Sequence, residues 1–273
     1  MFERFRRSWQ LTKTSWRVLW ADKELMLLPI FSVISVLVVC ASFAVPLAFV
    51  IDVDVLAEGN ETLLSGLGLL FYVLSYSVSF FFQAAVIAGA TERMRGGNPT
   101  LGSALAAARS RLGPLLLWGV VAGTVGFVIK SIQERSELVG KIIMGLLGGA
   151  WSLTTFFMVP VLVFEDHGIK GSFKRSWRVF RETWGETVVG SGGIGLATFL
   201  MMILVILLVT PVFAMGFTLT GIALAVLGLV VVGVVSSALQ GVYVAALYRY
   251  ATEGNVPVEF GDQDLEAAFV KKR

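Results

Sequence analysis

The sequence has few of the residues on which catalysis, metal binding and cross-linking depend. It contains one cysteine, Cys40, and one histidine, His167, so an internal disulfide and zinc sites built on paired histidines are excluded. A Ser-His or Cys-His catalytic pair is disfavoured for the same reason, and His167 is expected to be a solvated turn residue. We therefore expect no enzyme activity, no metal site and no cofactor.

Charge is also scarce. Only 15% of the residues are charged, while 56% are hydrophobic and the mean hydropathy is +0.81. A soluble domain carries about 25% charged residues, because water must solvate its surface. We therefore expect lipid to surround most of this chain, and we expect no nucleic-acid partner.

Long uncharged runs predict the membrane crossings. A spanning helix needs about 20 mostly apolar residues, and each of the first four runs supplies one. The last run would be about 93 Å long as a single helix at 1.5 Å per residue, so it is expected to fold back between Thr210 and Gly221, where Pro, Gly and Thr cluster. The prediction is an all-α polytopic bundle with six crossings, forming a single membrane domain (1–273) that ends in a short polar cytosolic tail (261–273). The runs are Leu25–Ile51, Thr62–Thr91, Leu112–Ile129, Ile142–Phe164 and Thr187–Tyr248.

The distribution of cations predicts the orientation. If the N-terminus is cytosolic, the outer loops hold only Lys130, Arg135 and Lys141 of the 22 Lys and Arg residues. Such an excess of cations on one side marks the cytosolic face. We expect a multi-pass protein of the cytoplasmic membrane with both termini in the cytosol.

Internal similarity predicts a threefold repeat. The segment Phe5–Trp9 (FRRSW) recurs as Phe173–Trp177 (FKRSW). We expect three units, residues 1–92, 93–167 and 168–260, each with a cytosolic surface helix followed by two crossings, somewhat as parallel repeats are arranged in transporters. A second correspondence places a serine 13 residues before the charged end of each even crossing: Ser79 before Glu92, Ser152 before Glu165 and Ser236 before Arg249.

Two of the predicted surface helices, Phe2–Trp20 and Ile169–Glu186, carry a Trp-rich stripe opposite a basic stripe at 100° per residue. Tryptophan prefers the headgroup level, and cations prefer anionic lipid. We expect these helices to lie on the inner leaflet, in contact with anionic lipids or with a protein partner on the cytosolic face. The alternative is that they only anchor the next crossing at its depth. The candidate contacts are Arg6, Arg7, Trp9, Trp16, Lys174, Arg175, Trp177, Arg178 and Trp184.

Polar residues inside the crossings are uncharged. No charged residue lies in the middle of a crossing, which disfavours an ion-coupled carrier. Serine and glutamine recur at similar depths, so Ser79, Gln83, Ser236 and Gln240 are candidates for lining an axis between the repeats. The alternative is that they form hydrogen bonds between helices.

Two further patterns concern packing. Glu92 and Glu165 end the second and fourth crossings, and they are expected either to pair with Arg249 in a buried polar cluster or to be exposed interfacial charges. Small residues spaced four apart predict close helix approach. They are Gly119/Gly123, Gly145/Gly149 and Gly233/Ser237/Gly241.

The Arg-Ser-Trp motif, the segment Trp20–Leu25 (WADKEL) ahead of the first crossing and the segment Phe173–Trp177 resemble a family of prokaryotic six-span membrane proteins known only as a domain of unknown function. The layout is also loosely similar to the membrane domain attached to some glycerophosphodiester phosphodiesterases. The catalytic residues of those enzymes lie in a soluble domain without a counterpart in this sequence, so the resemblance implies no activity and no site residues.

The sequence is interpreted as that of a non-enzymatic integral membrane protein. Its expected role is that of a scaffold or accessory protein that contacts lipid or a partner through its basic inner face. The alternative is a channel or transporter for a small uncharged or zwitterionic solute.

Overall fold

The computed structural model describes residues 15–17, 19–20, 22–49 and 61–253. Within these ranges the chain is helical and has no β-strand, which confirms the all-α prediction. A short 3-10 turn at Lys23–Met26 leads into the first long helix. The helices are α1 (Leu27–Phe49), α2 (Glu61–Met94), α3 (Leu101–Ser110), α4 (Leu112–Arg135), α5 (Leu138–Thr154), α6 (Met158–Phe164), α7 (Gly168–Glu182), α8 (Trp184–Ala214) and α9 (Thr218–Glu253).

Six segments of the described chain are long and apolar enough to cross a bilayer, which confirms the predicted number. Their large apolar side chains are mostly exposed, as expected for surfaces that face lipid rather than water. The fourth crossing consists of α5 and α6 together. The crossings are Glu24–Ala48, Thr62–Met94, Leu112–Arg135, Leu138–Phe164, Gly193–Ala214 and Thr218–Glu253.

The fold-back of the last apolar run lies inside the predicted interval. Helix α8 ends in a turn at Met215–Phe217, where Gly216 has a φ of 83°. The N–H of Phe217 donates to the carbonyl of Val212 (3.2 Å), and the N–H of Gly216 donates to the carbonyl of Phe213 (3.0 Å). This pair of bonds is the Schellman motif, which needs a left-handed residue that glycine supplies without strain.

The described residues within 1–30, 86–104 and 181–273 form one compact unit. Its helices approach each other closely at glycine residues, which have no side chain. A Cβ on Gly241 of α9 would lie 2.5 Å from Cγ1 of Val86, and a Cβ on Gly89 of α2 would lie 2.5 Å from Cδ2 of Leu25. Beyond this contact, residues Val242–Tyr248 of α9 are all buried, so the last third of α9 forms the core of this unit.

The described residues within 31–85 and 105–180 form a second compact unit. Here α4 packs on α2 through two glycines. A Cβ on Gly119 would lie 2.8 Å from Cα of Ser77, and a Cβ on Gly123 would lie 2.7 Å from Cα of Val73. Because the neighbouring atoms belong to the backbone, the spacing of the two helices depends on these glycines.

The other predicted stripes of small residues are used less. A Cβ on Gly145, Gly149 or Gly233 would meet no atom of the described chain within 4 Å. None of the residues of α5 is buried. Close packing is therefore confirmed at Gly119, Gly123 and Gly241, and the Gly145/Gly149 stripe faces away from the rest of the described protein.

Helices α3 and α7 each precede two crossings in chain order, where surface helices were predicted. Of the first predicted surface helix, Phe2–Trp20, only residues 15–17 and 19–20 are described, and these are helical. The threefold repeat stays a prediction. The predicted tail (261–273) lies outside the described residues.

Candidate functional site

Helix α7 lies between the fourth crossing, which ends at Phe164, and α8, which leads into the fifth. It therefore connects two candidate membrane crossings. Its buried side recurs every three or four residues, as one face of a helix does, and consists of Ser172, Ser176, Val179 and Phe180. The exposed side chains lie mainly on the other side and include Lys170, Lys174, Trp177, Arg178 and Arg181.

The buried side of α7 closes a gap in the fourth crossing. Helix α5 ends at Thr154 and α6 begins at Met158, so backbone groups at the break lack partners within the helix. The hydroxyl of Ser176 donates to the carbonyl of Thr154 (2.8 Å) and accepts from the N–H of Phe157 (3.2 Å). Ser176 is 0% exposed. A broken helix is tolerated at membrane depth when protein groups satisfy the backbone in this way.

A carboxylate at the end of the fourth crossing provides a second tie to α7. The Nε of Arg175 lies 2.9 Å from one oxygen of Glu165 and 3.1 Å from the other. The Nε2 of His167 lies 2.7 Å from the same carboxylate. The prediction that His167 is a solvated turn residue is confirmed only in part. Its side chain is 50% exposed, but it also contacts Glu165.

The predicted lipid contacts fall into three groups. Lys174, Trp177 and Arg178 are exposed on α7, and Trp16 is exposed and stacks on Trp20 with ring centroids 5.6 Å apart. Arg175 is partly buried and engaged by Glu165, so its charge is neutralised inside the protein. The third group, which consists of Arg6, Arg7 and Trp9 together with the side chain of Trp184, lies outside the described residues.

The apolar stripe predicted for α7 is divided in the structure. Phe180 is buried and stacks against Trp177, with centroids 5.8 Å apart. Trp177 is 42% exposed and lies at the border between the buried side and the basic side. The phenylalanine therefore packs against the protein, and the tryptophan remains exposed.

The four candidates for lining an axis lie on two helices, α2 and α9. The hydroxyl of Ser79 donates to the carbonyl of Ser75 one turn earlier (2.8 Å), and Gln83 is half-buried in the same helix. The hydroxyl of Ser236 lies 2.7 Å from that of Thr198, which joins α9 to α8, and Gln240 is half-buried. Ser236 thus forms the helix-to-helix bond given as the alternative, while a path along an axis stays a prediction.

A second ionic network, which the sequence analysis did not identify, joins the ends of α2 and α9 in the first unit. The carboxylate of Glu253 lies 2.5 Å from Nη2 of Arg95 and 3.0 Å from Nε of Arg249. Arg249 is buried, as the predicted polar cluster required, but its ionic partner is Glu253. Glu92 accepts a hydrogen bond from the hydroxyl of Ser103 (3.1 Å) instead.

Close to Glu92, the start of the first crossing is tied to α2 and α3. Asp22 is 8% exposed and lies 3.4 Å from Nε of Arg93. Burial raises the pKa of Asp22 above its ordinary value, Arg93 opposes the shift, and the charges of Glu24 and Glu92 add to it. Glu24 accepts the N–H of Leu101 at the start of α3 (2.9 Å). In the sequence, the signal for these contacts was that Asp22, Glu24 and Arg93 lie directly beside the apolar runs of the first two crossings.

Among the described residues, no group of three or more His, Cys, Asp and Glu side chains is arranged to hold a metal ion. The expectation of no metal, no cofactor and no enzyme activity is not tested by that observation.

Comparison with known proteins places most of the chain in one family. A family model described as "Family of unknown function (DUF6159)" matches residues 65–258. The match includes α3 and α7 and reaches from the second crossing to the end of the sixth. No curated protein and no solved structure matches the chain. The predicted likeness to an uncharacterised family is confirmed, and the looser likeness to glycerophosphodiester phosphodiesterases is not shown.

Proposed function

We propose, from the premise that this chain belongs to a family of unknown function (DUF6159), that it is a non-enzymatic scaffold or accessory protein of the cytoplasmic membrane. In this proposal its α7 helix contacts anionic lipid headgroups on the cytosolic side. The observation that supports the proposal is the two-sided structure of α7: one side is fixed to the membrane domain, and the other presents cations and a tryptophan.

The fixed side supports the proposal because it sets the depth of the helix. Ser176 bonds to the break between α5 and α6, and Arg175 bonds to Glu165 at the end of the fourth crossing. Both partners are part of the membrane domain. Helix α7 is thereby held at the level of the headgroups rather than free to leave the membrane.

The exposed side supports the choice of lipid. Lys170, Lys174, Arg178 and Arg181 are exposed, and each cation near an anionic membrane surface contributes about 1 kcal/mol. Trp177 lies at the edge of this group, where an amphipathic ring fits the interface between headgroups and hydrocarbon. The proposed cytosolic orientation follows from the excess of cations on this side of the crossings.

The test measures lipid preference in a bilayer. Wild type and the double variant Lys174→Gln/Arg178→Gln are reconstituted into vesicles of phosphatidylcholine, and the association of spin-labelled phosphatidylglycerol relative to spin-labelled phosphatidylcholine is measured. Wild type should prefer the anionic lipid. Each lost cation should reduce that preference up to about fivefold, since about 1 kcal/mol per residue is at stake.

A control removes one positive charge from the same helix. Because Arg175 is engaged by Glu165, Arg175→Gln should lower thermal stability yet retain the lipid preference. If the double variant keeps the wild-type preference, the proposal is wrong. If Arg175→Gln loses as much preference as Lys174→Gln alone, net charge and not the exposed side of α7 is responsible, and the proposal is equally wrong.

The alternative of a pathway for an uncharged or zwitterionic solute has less support. Its candidate Ser236 is engaged with Thr198, and Ser79 bonds to its own helix. These hydroxyls are already used within the protein, so no described contact favours transport over the proposed role.

A further inference from the structure

The ends of α2 and α9 carry two arginines that share one carboxylate. Glu253 contacts both Arg95 and Arg249. One negative charge cannot neutralise two guanidinium groups, so this trio carries a net positive charge. Arg93, the next cation along α2, is already paired with Asp22 and does not change this balance.

Arg249 is the more unusual of the two arginines because it is both buried and incompletely bonded. Its side chain is 9% exposed, and it follows directly on the buried segment Val242–Tyr248. Its Nε donates to Glu253, but its buried Nη1 has no hydrogen-bond partner among the residues that the structure describes. A guanidinium has five N–H donors, and a buried donor without an acceptor is unfavourable, more so when it is charged.

We propose that Arg249 and Arg95 form a binding site for a phosphate group. A phosphate supplies both what the trio lacks, a further negative charge, and several acceptor oxygens in a geometry that guanidinium groups match. The burial of Arg249 provides a partly dehydrated contact in which a charge-assisted bond is strong. Arg95, whose side chain is 55% exposed, provides the open side through which the ligand enters.

The position of the trio indicates two sources for this phosphate. Glu253 ends the sixth crossing, which places the trio where the apolar part of the bilayer meets the headgroups. A lipid headgroup can present its phosphate from the membrane side, and soluble phosphate can reach Arg95 from the aqueous side. The site is distinct from the exposed side of α7 and does not depend on the proposed function.

The experiment uses the full chain in a maltoside detergent, which has no phosphate of its own. Thermal unfolding is followed by tryptophan fluorescence in two arms. The first adds inorganic phosphate and compares it with chloride at equal ionic strength. The second adds phosphatidylglycerol and compares it with a diacylglycerol of the same chains. A ligand that binds the native state raises the midpoint of unfolding, and the rise grows with the logarithm of the ligand concentration once that exceeds the Kd.

Opposite changes are expected from two substitutions within the trio. Arg95→Gln, at an exposed position, should weaken the phosphate response at least tenfold. Glu253→Gln removes the competing carboxylate and should strengthen it several-fold. The matched control Arg109→Gln, which removes an exposed cation of α3, should respond within twofold of wild type.

A response in the phosphate arm alone identifies soluble phosphate, and a response in the lipid arm alone identifies a headgroup. Either result supports the site if the substitutions act in the stated directions. The inference is overturned if neither ligand raises the midpoint beyond its control. It is also overturned if Arg95→Gln responds to the ligand like wild type. It is equally overturned if Glu253→Gln weakens the response, because Glu253 would then support the native site rather than compete with the ligand.

Discussion

Replacing Ser176 by alanine should destabilise the fourth crossing. The Ser176 hydroxyl accepts the N–H of Phe157 and donates to the carbonyl of Thr154 at a site that is fully buried. Alanine leaves the donor and the acceptor without their partner. An unsatisfied buried polar group costs about 1–3 kcal/mol. The carbonyl of Thr154 should contribute less of this cost than the N–H of Phe157, because under-satisfied carbonyls are tolerated better in proteins than unpaired N–H groups. We expect a loss of about 1–3 kcal/mol in unfolding free energy.

One turn earlier, α7 supplies a matched control. Ser172 is also 0% exposed, but its hydroxyl has no hydrogen-bond partner in the described chain. Ser172→Ala therefore removes a hydroxyl that burial penalises and leaves no partner behind. Its unfolding free energy should equal or slightly exceed that of wild type. Each substitution removes one hydroxyl oxygen from α7, so the difference between the two unfolding free energies isolates the two hydrogen bonds of Ser176.

Unfolding is measured by titrating sodium dodecyl sulfate into mixed micelles while following tryptophan fluorescence, with thermal denaturation as a second probe. Hydrogen exchange at residues 155–158 localises the effect, since the amide of Phe157 should exchange faster in Ser176→Ala. If Ser172→Ala and Ser176→Ala are equally destabilising, loss of packing rather than hydrogen bonding is responsible, and the assigned role of Ser176 is refuted.

The remaining predictions concern helix contacts and one buried ion pair. Gly123→Ala places a Cβ 2.7 Å from the backbone of Val73 and should destabilise by about 1–3 kcal/mol, whereas Gly145→Ala, with open space around it, should be neutral or slightly stabilising in the same assay. Because burial raises the pKa of Asp22, its charged form is unfavourable in the folded state. Protonated Asp22 therefore contributes its full stabilisation below the ordinary pKa of 3.8. This contribution is lost as the pH rises through the pKa that Asp22 has in the folded state. Asp22→Asn should match or exceed wild type at pH 7. Arg93→Gln should lose about 1–3 kcal/mol at pH 7 and recover in acid. Urea or thermal unfolding from pH 3 to pH 8 checks this, and an Arg93→Gln variant without recovery would contradict it.

The crossings could be predicted because their cause is local. Each needs an unbroken run of apolar residues, and charges mark where the runs stop. The fold-back at Met215–Phe217 was equally local, since Pro211 and Gly216 lie beside it. The basic side of α7 also follows from residue spacing alone.

The break in the fourth crossing had a signal that was ambiguous. Pro160 has no N–H to donate to the carbonyl of Phe156, and its ring crowds that carbonyl, which accounts for the interruption before α6. Yet α1 continues through Pro46 and α8 through Pro211. A proline alone therefore does not decide where a helix breaks. At this break the neighbouring groups, the carbonyl of Thr154 and the N–H of Phe157, are bonded by Ser176, which lies 19 residues from Phe157.

The ionic network at the ends of α2 and α9 could not be predicted by pattern. Arg95 and Glu253 are separated by 158 positions in the sequence. Their contact depends on how α2 and α9 pack, which in turn depends on the close approach at Gly241 and Val86. The sequence analysis gave Glu92 and Glu165 as partners for Arg249, with exposed interfacial charges as the alternative, because charge at a helix end does not specify which neighbour is near.

The most direct test of the account is the side of the membrane on which each end of the third crossing lies. In a Cys40→Ala background, single cysteines replace Ser110, just before α4, and Ser136, just after it, and intact cells are labelled with a membrane-impermeant maleimide. The account predicts that the cysteine at 136 is labelled in intact cells and that the cysteine at 110 is labelled only after the membrane is opened. Labelling of both positions from the same side would contradict the six-crossing arrangement.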